Sequence, residues 1–522
     1  MTGSIHATVD VLVVGGGVNG AGIARDLAGR GLAVLLCEKD DLASHTSSAS
    51  TKLIHGGLRY LEHYDFGLVR KALIEREVLL RSAPHIMRPL RFVMPHDPSM
   101  RPAWMIRAGL LLYDHLARRE ILPGSRAVRF TGQAAGAPLQ PQYTHGFVYS
   151  DGWVDDARLV VLCARDAADR GATVLTRTLC ADVRREEGGW TAQLIDSGGR
   201  PSLVRARALV NAAGPWAAQF LSVHAHRADT RHLRLVRGSH IVVPRLFEHD
   251  MAYIFQNPDR RVMFAIPYES AFTLIGTTDV ETGGDPGRAV ISDEEIGYLC
   301  SMVNRYFRRP TSPSDVVWTY SGVRPLLDEE GDPSAVTRDY ALELDGDGAP
   351  LLSVWGGKIT TFRKLAEEAA DLLLQALGEN RPGWTGGQPG PGGDLDSGVP
   401  VSGQPQDGFE RLVQALRRRL HWLPPPLLMR WARAYGSRID RLLGSAIDDG
   451  PAALGARIAP GVFEAELRYL IDEEWARTGD DVLWRRSKLG LHLNAGERAA
   501  VGRWVDETLY GADRLPARKA SG

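Results

Sequence analysis

The chain is 522 residues long, enough for two or three domains with sizeable cores, and its formal net charge of −1 excludes a nucleic-acid-binding surface spread over the whole protein. Its four cysteines, Cys37, Cys163, Cys180 and Cys300, are widely separated without a C-x-x-C pair, so no zinc site or dithiol motif is encoded and no metal is expected. No apolar run reaches the ~18 residues of a membrane span and no signal peptide precedes the first strand, so a cytoplasmic protein, or one held at a membrane surface, is expected.

Residues 10–38 (DVLVVGGGVNGAGIARDLAGRGLAVLLCE) are the most informative stretch. Val11 to Val14 predict a buried parallel strand, and Gly15, Gly17 and Gly20 follow with the G-x-G-x-x-G spacing that opens a helix. Gly15 serves the sharp turn, Gly17 a close approach to a pyrophosphate, and Gly20 with Gly22 the packing of helix on sheet. The helix ends at Gly29-Arg30-Gly31, a second buried strand runs from Leu32 to Cys37, and Glu38 terminates it where an acid can accept from an adenosine ribose. Strand, glycines, helix, strand and acid in one unit predict dinucleotide binding, with the phosphates at the helix N terminus.

Residues 40–58 are dense in hydroxyls (Ser44, Thr46, Ser47, Ser48, Ser50, Thr51) and close on Gly56-Gly57. Placed directly after the ribose acid, they are suited to bond the remaining phosphate and the flavin side of a dinucleotide. With TSSASTKLIHGGLRYLEHYDF in view, the chain resembles a known family. That segment, GGGVNGAGIARD, YSDGWVDDARLV, VNAAGPW, GSHIVVP, IGTTDVE, WTYSGVRPL and GGKITTFRKLAE together look like the FAD-dependent glycerol-3-phosphate dehydrogenases of the aerobic bacterial type, nearly end to end. The resemblance implies FAD as cofactor, glycerol 3-phosphate as substrate and ubiquinone or menaquinone as acceptor. It extends the cofactor contacts to Asn19, Lys52, Leu53, His55, Gly57, Val183 (by its backbone, at adenine), Gly214, Gly357, Lys358 and Thr360.

Further along, residues 68–82 predict an amphipathic helix, and residues 101–121 another, carrying Trp104, Met105 and several leucines beside Arg101, Arg107, Arg118 and Arg119. A basic amphipathic helix of this kind suits either a core or a membrane interface. A helix starting near Asp155 and short strands up to residue 214 return to the nucleotide domain, while residues 233–318 alternate as an antiparallel sheet does. Ser292-Asp293-Glu294-Glu295 opens a helix, and residues 349–361 repeat the order strand, glycines, helix. Residues 381–408, rich in Gly, Pro and Asp, predict a linker, and beyond it helices near 409–420, 426–436, 461–477 and 497–509 predict a small α domain. There Arg417-Arg418-Arg419, Trp422, Leu423, Arg430, Trp431 and Arg433 suggest a surface for anionic lipid, a dimer partner or water.

The expected fold is therefore α/β: a Rossmann-type FAD-binding domain from residues 1–90, 150–230 and 340–380, an antiparallel-sheet substrate domain from 91–149 and 231–339, and a C-terminal α-helical domain from 409–522. Oxidising a secondary alcohol with a flavin needs a hydride path, a proton acceptor and fixed donors for the anionic end of the substrate. Arg324, Arg338, Arg59 and Tyr60 match family positions that contact substrate, Thr278 is a further hydrogen-bonding candidate, and Lys358 suits the flavin edge or the substrate oxygen. For the base, His240 and His55 compete; His240 is preferred because it lies in the substrate-sheet block, with His55 as a flavin contact. An oxidase returning electrons to oxygen, or a flavin-binding sensor without turnover, are the alternatives. A peripheral position on the inner face of the cell membrane and a homodimer are further expectations, with no nucleic-acid partner.

Overall fold

A computed structural model describes residues 5–97, 101–227, 231–257, 259, 261–327, 339–395 and 405–511. It contains two compact units, residues 1–82 with 87–388, and residues 83–86 with 389–522.

The larger unit holds two sheets. In the first, the strands run in the order Tyr340–Asp345, Leu351–Gly356, Pro201–Asn211, Ile5–Val14, Val34–Cys37, Thr173–Leu175, and the hairpin Thr178–Glu186 with Gly189–Asp196 joins it through Pro201–Asn211. The inner strands pair in parallel, as continuous apolar runs such as Val11-Leu12-Val13 require when both faces are covered. The helix Val18–Gly29 lies between Asp156–Asp169 and Phe362–Ala376. Gly22 sits against Phe362 and Ala366, so its small size serves helix-to-helix packing, while Gly20 alone meets the turn and the strand end at Ala212.

The second sheet is antiparallel apart from one parallel pairing, Ala252–Gln256 with Met87–Pro95, and is built mainly from Leu233–Pro244, Trp318–Leu327, Phe272–Gly276, Val262–Tyr268, Met87–Pro95 and His145–Val154. One face carries Ile241, Val243 and Phe255 onto the helix Asp293–Asn304, which starts where expected and is closed by a Ser292/Glu295 capping box. By the two-residue alternation of a strand, His240 points to the other face, together with its cross-strand neighbour Tyr320 and with Arg324 two rungs on. That face meets the hydroxyl-rich segment: Thr46 Oγ1 donates to the Val323 carbonyl (2.7 Å), Tyr320 donates to the Ser50 carbonyl (2.9 Å), and Gly322 leaves room for Ala49.

Residues 381–388, expected as the start of a linker, instead dock on the glycine-turn helix. The Trp384 indole donates to the Asp26 carbonyl (3.0 Å), lies flat on Gly29, and is flanked by Arg25 and Arg170 at 5.0 and 4.0 Å. Arg381 donates to the Arg30 carbonyl (2.7 Å). The rest of that stretch is shorter than expected, because a helix already runs over Pro405–Arg419; residues 396–404 lie outside the described residues.

The smaller unit packs Pro405–Arg419, Pro425–Tyr435, Glu464–Asp472 and Ala495–Tyr510 around Trp431, Tyr435, Val462, Leu467 and Val501. Of the aromatic and basic surface expected here, Arg417, Arg418 and Arg419 are exposed, but other members turn inward or are paired. Trp431 is 0% exposed and Leu423 is buried, Arg430 forks onto Glu466 (2.5 and 2.6 Å), and the Arg433 guanidinium covers the Phe409 ring at 3.8 Å. Helical periodicity places Trp431 on the apolar side with Leu427, Leu428 and Tyr435, and that side seeks the core. Trp431→Ala should therefore cost about 3–5 kcal/mol of stability in thermal or denaturant unfolding, where a surface residue would cost under ~0.5 kcal/mol.

Candidate active site

Three neighbouring parallel strands end side by side, at Val14, Asn211 and Gly356, and each runs into glycine. Gly15 (φ +112°), Gly214 (φ +57°), Gly356 (φ +70°) and Gly357 (φ +104°) all occupy backbone conformations that favour glycine. At the first turn the constraint is also steric: a Cβ on Gly15 would stand 2.4 Å from the Ala212 carbonyl oxygen, and one on Gly20 only 1.9 Å from that of Gly15. The strand ends border a cavity of about 910 Å³, lined among others by Gly15, Gly17, Asn19, Glu38, Ser47 and Gly214.

The local bonds prepare this cavity for a dinucleotide. The N-cap residue of the helix Val18–Gly29 is Gly17, which offers no capping side chain of its own, and the helix N terminus opens on the cavity. The Val18 N–H donates to Ser47 Oγ (2.9 Å), and Asn19 Nδ2 donates to the Gly356 carbonyl (3.1 Å), tying the first glycine turn to the third. Glu38 accepts from the Gly16 and Asp40 N–H groups (2.6 and 2.8 Å), and burial raises its carboxyl above the ordinary 4.5 although both bonds favour the ionised form. Size, glycine cradle, open helix end and strand-end acid together fit FAD.

Other residues expected around the cofactor also hold groups of the protein itself. Ser48 bonds the His45 carbonyl and Ser50 bonds Asp156, while Lys52 is fully buried, donating to Asp156 (2.7 Å) and to the Ser48 carbonyl (3.1 Å). Lys52 thus holds the hydroxyl segment together from within, and the two charges are present together because neither would be tolerated alone at that depth. Leu53 is buried in the short strand Leu53–Ile54, which pairs with His145–Val154 of the antiparallel sheet. The Val183 side chain packs in the core with Trp190 and Leu194, and the same strand borders the cavity at Thr178, Leu179 and Cys180. The His45, Lys39 and Trp216 group at the cavity escaped the sequence reading: the Lys39 ammonium lies 3.8 Å from the Trp216 ring and the His45 ring 4.7 Å from it. Its one signal was Trp216 two residues after Gly214, in Gly214-Pro215-Trp216.

On the sheet face opposite, Arg324 donates to Thr277 Oγ1 (3.1 Å) and pairs with Asp279, lying over Gly238, where a Cβ would meet the guanidinium at 2.5 Å. Thr278, the expected substrate contact, points the other way: its hydroxyl donates to Glu295 (2.7 Å) and accepts from the Ser239 N–H (2.9 Å), leaving Thr277 as the threonine beside Arg324. His240 is buried, shares a 2.9 Å hydrogen bond with Thr51 through Nε2, and stacks on Tyr320 with centroids 4.7 Å apart. Burial, and after it the positive charges of Arg324 and Lys52, push its pKa well below 6.5. The Lys358 ammonium sits 3.8 Å from the Tyr60 ring, and the His55 N–H donates to Thr360 Oγ1 (3.2 Å). Gly57 (φ +77°) turns the chain into the short helix Leu58–His63 that carries Arg59. The Arg59 side chain, and Arg338 altogether, lie outside the described residues.

Residues 10–363 match the FAD dependent oxidoreductase family, and residues 395–507 match the C-terminal domain of alpha-glycerophosphate oxidase. The chain is 54% identical to a glycerol-3-phosphate dehydrogenase of Pseudomonas aeruginosa over 95% of this chain and 94% of that protein. It is 51% identical to the aerobic glycerol-3-phosphate dehydrogenase of Escherichia coli, over 97% and 99%. The chain belongs to the FAD-dependent glycerol-3-phosphate dehydrogenase family. A D-erythritol 1-phosphate dehydrogenase of Brucella abortus is 49% identical over 96% and 98%. Among solved structures, that of the glycerol-3-phosphate dehydrogenase from Bacillus halodurans complexed with FAD superposes with a TM-score of 0.77 at 26% identity, covering 97% of this chain and 92% of that one. The cofactor of this family member is FAD.

An ionised Glu38 carboxylate is able to accept from a ribose hydroxyl while holding both N–H groups, so FAD binding should weaken as the pH falls toward the raised Glu38 value, at pH still above 4.5. Glu38→Ala should weaken FAD binding by roughly tenfold or more at neutral pH, and Glu38→Gln should flatten the acid dependence. Flavin fluorescence, quenched in the protein and recovered on release, reads both.

Proposed function

We propose that this flavoenzyme oxidises sn-glycerol 3-phosphate to dihydroxyacetone phosphate and passes the electrons to ubiquinone or menaquinone. What carries the reading is the likeness, over nearly the whole chain, to dehydrogenases of that substrate. FAD would be held by Gly15, Gly17, Asn19, Gly20, Glu38, Ser47, Gly214 and Gly357, and when bound supplies the hydride acceptor for the secondary carbinol.

The roles of the chain's own residues follow from their chemistry. The substrate phosphate carries about two negative charges, which planar guanidinium forks match better than ammonium groups; Arg324 and Arg59 are assigned to it, with Tyr60 and Arg338 as further candidates. Asp279 and Thr277 hold the Arg324 fork in one orientation before substrate arrives. Lys358 supplies positive charge where negative charge accumulates on reduction. His240 is assigned to the hydroxyl proton: its depressed pKa keeps the imidazole neutral at pH 7, and Thr51 fixes the ring through Nε2. His55 and Thr360 position the loop between these groups.

Association with an anionic membrane surface is also proposed. No helix among the described residues is long and apolar enough to cross a membrane, so contact would be from one side. The helix Ala103–His115 supports this, because it buries only Leu110 and Tyr113 and leaves Trp104 69% exposed, with Met105, Leu111 and Leu112 also outward. Tyr64 and Phe66, next to the short helix that contacts it and pairs Glu62 with Arg101, add to the apolar patch, and Arg118 is exposed nearby.

Anaerobic glycerol 3-phosphate should bleach the visible flavin absorbance; a yellow protein that stays unbleached would favour a sensor. D-Erythritol 1-phosphate, run in parallel, should give a lower kcat/KM. In air without quinone, peroxide should form far more slowly than quinone-linked turnover proceeds, whereas stoichiometric peroxide would make the chain an oxidase. His240→Ala should slow single-turnover flavin reduction about 10²–10⁴-fold, and the unaltered enzyme should hold its rate as pH falls through 6.5, declining only in more acidic solution. The protein should float with anionic liposomes at low salt, and Trp104→Glu with Leu111→Glu should leave it in the unbound fraction.

A further inference from the structure

The loop that carries Arg59 and Tyr60 hangs from a side chain outside every motif considered so far. After the strand Leu53–Ile54 the chain runs through His55, Gly56 and the left-handed Gly57 into the helix Leu58–His63. The buried Gly56 N–H donates to the Tyr113 hydroxyl (2.8 Å). That hydroxyl donates in turn to the Asp151 carboxylate, 2.7 and 2.9 Å from its two oxygens, and Asp151 accepts from Arg76 Nη1 at 2.6 Å. Tyr113, Asp151 and Arg76 are each 2% exposed or less.

The direction of this relay is determined by its ends. A carboxylate beside a guanidinium accepts only, so the single phenol proton goes to Asp151 and the lone pair of the oxygen faces the Gly56 N–H. Burial pushes the Tyr113 phenol well above its ordinary 10, so it remains a donor throughout the working pH range. A diglycine has no side chain with which to anchor itself, and here contact replaces the anchor: a Cβ on Gly56 would stand 2.6 Å from Leu73 and 2.7 Å from the Tyr113 hydroxyl. Beyond it, the Tyr60 ring packs directly on Gly57 and against the Lys358 ammonium. The pitch of the Gly56 peptide therefore decides where Arg59 and Tyr60 are presented.

We propose that Tyr113 is a positioning residue for substrate binding, seating the Gly56 peptide through the Arg76, Asp151, Tyr113 relay so that the turn 57–60 faces the substrate. This rests on the reading that Arg59 and Tyr60 touch substrate. The test uses the full-length, FAD-loaded enzyme. Tyr113→Phe should keep its FAD content and visible flavin spectrum, raise KM for glycerol 3-phosphate about tenfold or more, and change kcat by less than about threefold. Gly56→Ala, which presses a methyl group toward the same hydroxyl, should reproduce that split. Arg59→Lys separates the two readings: an unchanged KM there removes the loop from the substrate, whereas a raised KM there with Tyr113→Phe within twofold of the parent overturns the seat alone. Failure of both Tyr113→Phe and Gly56→Ala to fold would also overturn it, since the relay would then belong to the core and not to the loop.

Discussion

The backbone contact between Gly15, Gly20 and Ala212 is the constraint on which the rest of the larger unit depends. Where a helix begins this close to the strand it has just left and to the next strand end, no side chain fits, and the close approach is possible only with glycine at both positions. The consequence is geometric. The helix N terminus is brought to the carboxyl edge of the sheet, where the strand ends at Asn211 and Gly356 also open onto glycine turns, and a crevice lined by those turns results. Glu38, one strand over, is close enough to accept from Gly16, so the acid and the turn hold each other in place before any ligand arrives.

The hydroxyl-rich segment joins this crevice to the antiparallel sheet. Three bonds, from Thr46, Tyr320 and Thr51, connect it to the strands that carry Arg324 and His240, and Gly322 permits the approach of Ala49. The segment has little apolar content with which to pack itself. Its order comes from the Lys52 and Asp156 pair, which satisfies the Ser48 carbonyl and the Ser50 hydroxyl at the same time. A buried pair of this kind contributes little net stability but strongly disfavours alternatives that would separate the two charges, which suits a segment that must hold a sheet face and a cofactor edge in register.

Charged side chains do similar work elsewhere in the larger unit. Helix Phe66–Ser82 looks amphipathic, yet it buries Glu75, Arg76 and Glu77, with Glu75 forked by Arg363 at 2.6 and 2.8 Å and Arg76 bound to Asp151. Polar groups at that depth define a single packing arrangement, because only that arrangement brings their several partners into bonding geometry together. The helix Ala103–His115 shows the converse. Its apolar residues are numerous enough to surround it, but only Leu110 and Tyr113 go inward, so much of its apolar surface faces out.

The local sequence by itself determined the first βαβ unit, the Ser292 capping box, the strand-glycine-helix repeat at 351–361 and the alternation of the substrate sheet, because glycine conformations, caps and side-chain periods act over a few residues. It could not determine which way a polar residue points once two sheets close on each other. Thr277 and Thr278 are adjacent and chemically identical, and only the packing of the helix Asp293–Asn304 beneath the sheet gives Thr278 to Glu295 and leaves Thr277 to Arg324. In the same way the bonds of Ser50 and Lys52 to Asp156, more than a hundred residues away in sequence, exist only in the tertiary structure. Trp431 read as a surface residue because its arginine neighbours are charged, whereas the helix turns it inward and lets Glu466 and Phe409 occupy those arginines. The seat of Gly56 on Tyr113 has no trace in either segment alone, since a backbone donor and a phenol oxygen become partners only through the tertiary structure.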